Sequence, residues 1–222
     1  PKNLGDIIEG QSFVIDGMKV TIISPDVDKL NQLREKYSNH RPLCKSEIDK
    51  ASVEAGSVMD DYFIPLQKFN LDYFQEDTSV ENASNIAAVF EYDDKRILWL
   101  SDSVPSVVMK SLFMLGFSET NKMYCDAVLL SHHGSAANNS LALLRMIQAD
   151  KYIISADGMN GHCLPNKETI ARIVSASSNL PVTLYFNYED GRLIKMFKSD
   201  AQEDVKSRID VHYLKDMEAI EF

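Results

Sequence analysis

Two adjacent histidines are the residues of this chain whose types and spacing best suit chemistry. The stretch "LLSHHGSAANNS", residues 129–140, places His132 and His133 between an apolar run and a polar turn that contains glycine. The whole chain has only five histidines. Imidazole nitrogens bind zinc and related metals, and they also transfer protons near neutral pH. The doublet is therefore a candidate site for metal binding or proton transfer.

Two further polar residues follow strand-like runs in the same way. Asp102 comes directly after "RILWLS", and His162 lies in "ADGMNGHCLP" after "KYIIS". Because loops beyond the carboxyl ends of strands collect at one edge of an α/β sheet, we expect Asp102, the doublet and His162 to converge there. A carboxylate with imidazoles suits zinc, and related geometries accept manganese or iron. The sequence thus predicts a metal site at this edge.

Each of these residues also has an ordinary structural interpretation. Ser-Asp-Ser before a predicted helix makes Asp102 a candidate N-cap. A single histidine after a strand, such as His162, is more often a hydrogen-bonded loop residue than a ligand. For the doublet the two interpretations are evenly balanced, and the shared position of all three loops favours the metal site. His40 and His212 have no comparable context and are predicted to be surface residues.

The elements that must position these residues follow an α/β pattern. The chain opens with "SFVIDGMKVTIISP", a predicted hairpin about Asp16-Gly17, and "DVDKLNQLREKY" has a helical apolar face. A second hairpin, "IAAVFEY" with "RILWLS", is followed by alternating predicted helices and strands. The last pair, "VTLYFNY" and "RLIKMFK", is predicted to close the sheet as two strands about Asp190-Gly191. Such alternation predicts a layered α/β fold.

The domain organisation is predicted to be a single domain over residues 1–222. Within it, residues 39–84 have a weak, acidic pattern that indicates an irregular connection. The charged tail, residues 199–222, is predicted either to pack as a strand and a helix or to belong to an interface.

Composition excludes several classes of protein. The formal charge of −10 argues against the broad basic surface of nonspecific nucleic-acid binders, although it leaves a nucleic-acid substrate open. No apolar run approaches the roughly 20 residues that span a bilayer, so no membrane association is expected. The beginning of the sequence lacks signal-peptide character, and the three cysteines form no CxxC pair, so a cytoplasmic location is expected.

Three stretches resemble the second half of a metallo-β-lactamase-fold hydrolase, in the subgroup similar to the nuclease domain of the competence DNA-uptake protein. They are "NIAAVFEYDDKRILWLSDS", "CDAVLLSHHGSAANNS" and "KYIISADGMNGHCLPNKETIARI". "HHGS" in order with the aspartate and the later histidine is a fairly specific pattern. The resemblance covers residues 82–187, under half of the chain. It implies a metallo-β-lactamase-like αβ/βα fold, with mixed sheets flanked by helices, of which this chain is the C-terminal portion.

The resemblance also implies roles for individual residues. Asp102 would be the carboxylate that bridges two zinc ions, with manganese as an alternative metal. His132 or His133 would be a metal ligand, with the other facing the substrate, and His162 would be a further ligand or a phosphate contact. Asp102 and His133 are the implied catalytic residues. Substrate binding is assigned to a set at the neighbouring loops: Asn82, Gly134 and Ser135.

The chain departs from the family pattern at three points. Ser101 replaces the usual glycine before the aspartate, and Cys163 and Leu164 separate His162 from the proline that usually follows it. The family's H-x-H-x-D-H motif, which belongs upstream of the hairpin, does not occur in this sequence. A complete two-metal site is therefore expected only with an N-terminal half that carries the motif, or with a partner protein.

The function expected from the resemblance is metal-dependent hydrolysis of phosphodiester bonds, with nucleic acid as a possible substrate. Two alternatives remain open. One is a non-catalytic or regulatory interaction module that retains the fold. The other is a small-molecule esterase or lactonase, since a fold does not fix a substrate.

Overall fold

The computed structural model describes residues 5–38, 60–158, 161–215 and 219–220. The strands are β1 (Ser12–Ile15), β2 (Met18–Ser24), β3 (Ala87–Tyr92), β4 (Lys95–Trp99), β5 (Met123–Cys125), β6 (Ala127–Leu129), β7 (Ile147–Ala149), β8 (Lys151–Ile154), β9 (Val182–Phe186) and β10 (Ile209–Tyr213). The α-helices are α1 (Val27–Ser38), α2 (Val80–Ala83), α3 (Pro105–Met114), α4 (Leu141–Arg145), α5 (Lys167–Ala176) and α6 (Gln202–Arg208). Short 3-10 turns lie at Leu66–Lys68, Ser131–Gly134 and Leu193–Lys195.

The main sheet has eight strands in the order β1-β2-β3-β4-β6-β8-β9-β10. Strands β1 to β4 pair antiparallel, whereas β4, β6, β8, β9 and β10 pair parallel. Strands β5 and β7 form a separate two-stranded parallel sheet. A mixed sheet flanked by helices confirms the predicted α/β class.

One face of the main sheet carries the core. Successive side chains of a strand point to opposite faces, so Leu98, Val128 and Tyr152 point the same way from adjacent paired positions. They belong to a buried cluster that also contains buried apolar residues of α3, α4 and α5. On the opposite face Leu129 is half-buried and its cross-strand neighbour Trp99 is 48% exposed. From β4 to β9 the sheet is thus packed closely on its helical face and more openly on the other, whereas on β2 and β3 that other face carries a small buried cluster of Val20, Ile22 and Ala88.

Both predicted hairpins are confirmed. Strands β1 and β2 turn at Asp16-Gly17, and β3 and β4 turn at Asp93-Asp94, with positive φ at all four residues. Positive φ matches the right-handed twist of two-residue hairpins. The predicted N-cap Ser140 is also confirmed, since its hydroxyl accepts a hydrogen bond from the amide of Leu143 at 3.1 Å.

The predicted closing strand "RLIKMFK" is wrong. Residues 193–195 form a 3-10 turn, and Leu193, Met196 and Phe197 are buried in the core at helical spacing. Strand β9 pairs with β8 on one side and with β10 on the other, so both of its edges are occupied. Strand β10 comes from the tail, which therefore packs as a helix and a strand, one of its two predicted forms.

The predicted irregular segment is described from residue 60 onwards. Residues 60–84 contain only the turn at Leu66–Lys68 and the four-residue helix α2, and His40 lies outside the described residues. Asp61 accepts hydrogen bonds from the amides of Lys167 and Glu168 at 2.8 and 2.9 Å, and so caps α5. No helix in the described ranges is long and apolar enough to cross a membrane.

Candidate functional site

The loops that carry the first two predicted site positions lie side by side. Strands β4 and β6 are parallel neighbours, so their carboxyl ends meet at one sheet edge. The amide of His132 donates to the carbonyl of Ser101 at 2.8 Å, and the hydroxyl of Ser131 donates to the carbonyl of Ser103 at 2.6 Å. The chain on either side of Asp102 is therefore tied directly to the doublet.

The doublet has an unusual backbone conformation. His132 and His133 have φ values of 44° and 57°, in the left-handed region that side-chain-bearing residues seldom adopt. The buried side chain of Asn139 holds this conformation by two hydrogen bonds to the backbone of Ser131. Its Oδ1 accepts from the Ser131 amide at 3.1 Å, and its Nδ2 donates to the Ser131 carbonyl at 2.8 Å. Backbone strain of this kind clusters at functional sites, where it aims side chains.

His133 presents one ring nitrogen to solvent. Its Nδ1 lies 2.5 Å from the carbonyl oxygen of Ser155, at the end of β8. Because a carbonyl oxygen only accepts hydrogen bonds, Nδ1 carries a hydrogen, and in the neutral ring the lone pair is on Nε2. The ring is exposed, and Nε2 makes no hydrogen bond to any described residue. His133 is thus prepared to act as a base or as a ligand.

His132 is held by a small polar network. Its Nδ1 lies 3.1 Å from Asn138 Oδ1, 3.3 Å from Asn82 Nδ2 and 3.6 Å from Asp77 Oδ2. The centroids of the two histidine rings are 5.9 Å apart, and the rings meet edge to face. The Nε2 atom of His132 also makes no hydrogen bond within the described chain. The doublet therefore presents two accessible Nε2 atoms at the same sheet edge.

Asp102 has no structural partner for its side chain in the described parts of the chain. It is half-buried, and its carboxylate makes no hydrogen bond or ion pair with a described residue. The N-cap of α3 is Val104, without a side-chain capping bond, so Asp102 does not cap this helix. The structural alternative considered for Asp102 is therefore wrong.

His162 lies in the loop between β8 and α5. It is exposed, and Cys163 after it is buried with φ 53°. The same loop continues to Pro165, whose side chain lies against Gly134 of the doublet loop. The position of His162 after a central strand agrees with the expected loop, and its role as a ligand or phosphate contact stays a prediction.

The donors fall short of a complete metal centre. Among the described residues, no three His, Cys, Asp or Glu side chains form a group that could hold a metal ion. The two Nε2 atoms and the carboxylate of Asp102 have the chemistry that zinc accepts, since its protein ligands are imidazole, thiolate and carboxylate. This part of the chain thus supplies at most part of a donor set.

Two of the three predicted substrate-binding residues line a pocket beside His132. Asn82 and Ser135 border a cavity of about 560 Å³, which Arg172 also lines. Gly134 has a packing role, because its φ is 82° and a Cβ there would lie 2.8 Å from the Cβ of Pro165.

The backbone amides of this loop are already hydrogen-bonded within the protein. The amide of Ser135 donates to the carbonyl of His132, and that of Ala137 to the hydroxyl of Ser135. The amide of Ala136 donates to Asn166 Oδ1 at 2.8 Å. An anionic group in the pocket would therefore meet side chains more readily than these amides.

Comparisons with known proteins yield one likeness. No family model and no curated protein matches the chain. A solved structure described as a new diphosphatase from the PhnP family aligns at 21% identity with a TM-score of 0.26. The alignment covers 62% of this chain and 39% of that chain. At so low a TM-score the likeness carries no argument about activity, and the residues of this chain must supply it.

Proposed function

We propose that this chain forms one side of the active site of a metal-dependent hydrolase that cleaves phosphodiester bonds. The single observation that carries the proposal is the arrangement at the ends of β4 and β6. Two imidazoles there have Nδ1 engaged and Nε2 accessible, and the adjoining loop carries Asp102, whose carboxylate makes no hydrogen bond or ion pair with a described residue. The loop that carries the two histidines has left-handed backbone at both of them, and such strain clusters at functional sites. Accessible acceptors on a strained loop that Asn139 holds by hydrogen bonds favour a role in chemistry.

His133 is the group best suited to move a proton. Its Nε2 accepts a proton from the attacking water while the water oxygen forms a bond to phosphorus. The phosphorus–oxygen bond to the leaving group breaks, and the imidazolium returns the proton to the departing alkoxide. The Nδ1–H bond to the carbonyl of Ser155 persists in both protonation states, so the ring keeps its orientation.

The metal belongs to the proposal only with ligands from elsewhere. When bound, zinc or manganese would supply positive charge for the phosphoryl oxygens. The described residues do not complete a site, so the remaining ligands must come from outside them. We propose an N-terminal half with the H-x-H-x-D-H motif, or a partner protein, as their source.

The more open sheet face supports this requirement for a second layer. Ile97, Trp99, Leu129, Ile153 and Tyr185 follow one another across four neighbouring strands on the face away from the helical core. All are partly exposed, with Trp99 at 48%. Apolar residues on both faces are typical of a sheet that is covered on both sides. A covering layer would end at the same edge as the doublet.

The experiment is hydrolysis of bis-p-nitrophenyl phosphate by the natural full-length protein that contains this sequence. Turnover is measured with added zinc or manganese for the wild type, Asp102→Asn and Asp102→Ala. Loss of a charged contact to the metal should lower turnover by about 10–100-fold or more. His212→Ala is the matched control, because His212 is an exposed histidine on the edge strand β10. Equal turnover in the folded Asp102 variants would contradict the proposal.

A second candidate, a non-catalytic interaction module, is favoured by the same open face. Trp99 at its centre would then anchor a partner, as exposed apolar patches often do. This candidate predicts no turnover of the phosphodiester or of p-nitrophenyl acetate with any metal. The acetate also tests the esterase alternative, and single-stranded DNA tests for nuclease activity.

A further inference from the structure

We infer that Asp77 is a positioning residue that fixes the tautomer and the orientation of His132. The inference rests on the proposed function for its catalytic meaning, whereas its test does not depend on activity. Asp77 lies in the segment before α2, far from the doublet in sequence. Its carboxylate is hydrogen-bonded to both amide side chains that contact the His132 ring.

The carboxylate of Asp77 is itself firmly held. Its Oδ1 accepts from the amide of Ser79 at 2.8 Å, and its side chain is only 16% exposed. Its own amide donates to the carbonyl of Ala137, within the loop that follows the doublet, at 3.1 Å. Asp77 is therefore hydrogen-bonded to the same loop whose side chains it orients.

Asp77 also orients two amide side chains. Its Oδ2 accepts from Asn82 Nδ2 at 2.6 Å and from Asn138 Nδ2 at 3.1 Å. Burial is the largest single influence on the pKa of Asp77 and raises it. The hydrogen bonds from Asn82, Ser79 and Asn138, together with nearby His132, outweigh burial and hold the pKa below its usual value. With hydrogen-bond donors on both oxygens, Asp77 is a carboxylate, which can only accept.

The orientation of Asn138 determines which hydrogen His132 carries. Asn138 is 1% exposed, and its Nδ2 faces Asp77 Oδ2 and the carbonyls of Asp102 and Ser103. Because all three neighbours are acceptors, this atom must be the nitrogen, and Oδ1 must face His132. Oδ1 lies 3.1 Å from His132 Nδ1, whereas Asn82 Nδ2 is farther from the same atom at 3.3 Å and already donates to Asp77 Oδ2 at 2.6 Å. The neutral ring therefore donates its Nδ1–H to Asn138 and leaves Nε2 unprotonated. A carboxylate behind a ligating or basic histidine plays this part in many metal sites.

Asp77→Asn keeps the shape of the side chain but replaces one of its two accepting oxygens with a donating NH₂. An amide at position 77 can turn its own NH₂ towards Asn138, which lowers the cost of rotating that side chain by half a turn. The two acceptors that remain, the carbonyls of Asp102 and Ser103, are more distant at 3.4 Å. Asn138 would then present Nδ2 to His132, where the ring must accept at Nδ1 and carry its hydrogen on Nε2. Of the two histidines, only His133 would then keep an unprotonated Nε2.

The test is long-range ¹H–¹⁵N NMR of the histidine rings at a pH where they are neutral. In the wild type we expect a protonated Nδ1 and an unprotonated Nε2 for His132. Asp77→Asn should shift His132 towards the Nε2–H form and leave His133 unchanged, because Ser155 holds that ring. Asp210→Asn is the matched control, since it removes an exposed carboxylate 2.9 Å from a histidine, His212, on β10.

An Nε2–H form of His132 in the wild type, or an unchanged tautomer in folded Asp77→Asn, would overturn the inference. Turnover supplies a second measurement, in which Asp77→Asn should lower kcat by about 10–100-fold and Asp210→Asn should not. If the tautomer shifts as expected and the wild type hydrolyses no phosphodiester, the positioning role stands and the proposed function fails.

Discussion

Substitution of Gly134 by alanine should destabilise the protein and disturb the doublet loop. Gly134 has φ 82°, and a Cβ at this position would lie 2.8 Å from the Cβ of Pro165. Left-handed backbone costs a residue with a Cβ roughly 1–2 kcal/mol. Forcing a methyl group into a packed contact adds about 1–3 kcal/mol. We therefore expect Gly134→Ala to lower the free energy of unfolding by about 2–5 kcal/mol.

Gly116→Ala separates the two contributions. Gly116 has φ 90°, but nothing lies within 4 Å of the Cβ that alanine would add. This control should cost only the backbone part, about 1–2 kcal/mol. Urea unfolding measured by tryptophan fluorescence and by circular dichroism gives both values, and hydrolysis by the folded variants shows whether the doublet is displaced.

The result that would refute this reasoning is an equal loss of stability in the two variants. Equal values would mean that Pro165 does not approach Gly134 closely. The doublet loop and the loop of His162 would then not be packed against each other, and the shared edge of the site would lose its support.

Two further predictions concern ion pairs away from the site. Asp200→Ala should lower the free energy of unfolding by about 3–5 kcal/mol, because it leaves the fully buried ammonium of Lys167, which lies 2.5 Å from Asp200, without its counter-ion. Adding Lys167→Met should recover part of this loss in urea titrations. Hydrogen bonds from Lys36 and Tyr37 lower the pKa of Glu81 to about 2. The ionised carboxylate therefore stabilises the protein above the unfolded pKa near 4.5, and this stabilisation fades as the pH falls towards 2. Glu81→Gln should cost about 0.5–1 kcal/mol at pH 7, since the group is largely exposed, and urea midpoints of the variant and wild type should converge below pH 4.

The central sheet could be predicted from the sequence, because its strands and turns are local signals. The hairpins at Asp16-Gly17 and Asp93-Asp94 and the neighbouring ends of β4 and β6 followed from alternation and turn residues. The prediction of a closing strand is wrong because the buried residues at positions 193, 196 and 197 have the spacing of a helical turn.

The support of the site could not be predicted in the same way. Asp77 lies in a segment without periodicity, and its bond to Asn138 joins residues 61 positions apart. Asn138 itself was visible in "SAANNS", but only the folded chain shows that its amide faces His132. The contact between His133 and the carbonyl of Ser155 likewise depends on the pairing of β6 with β8.

The most direct test of the central claim is the turnover of bis-p-nitrophenyl phosphate by His133→Gln and by His212→Gln in the natural full-length protein. Glutamine keeps a polar side chain of similar reach but cannot take up the proton. If His133 acts as the base, His133→Gln should lose about 10²–10⁴-fold in kcat, as general bases typically contribute, while His212→Gln keeps wild-type turnover. Wild-type turnover in folded His133→Gln, or no metal-dependent turnover in the wild type, would contradict the account.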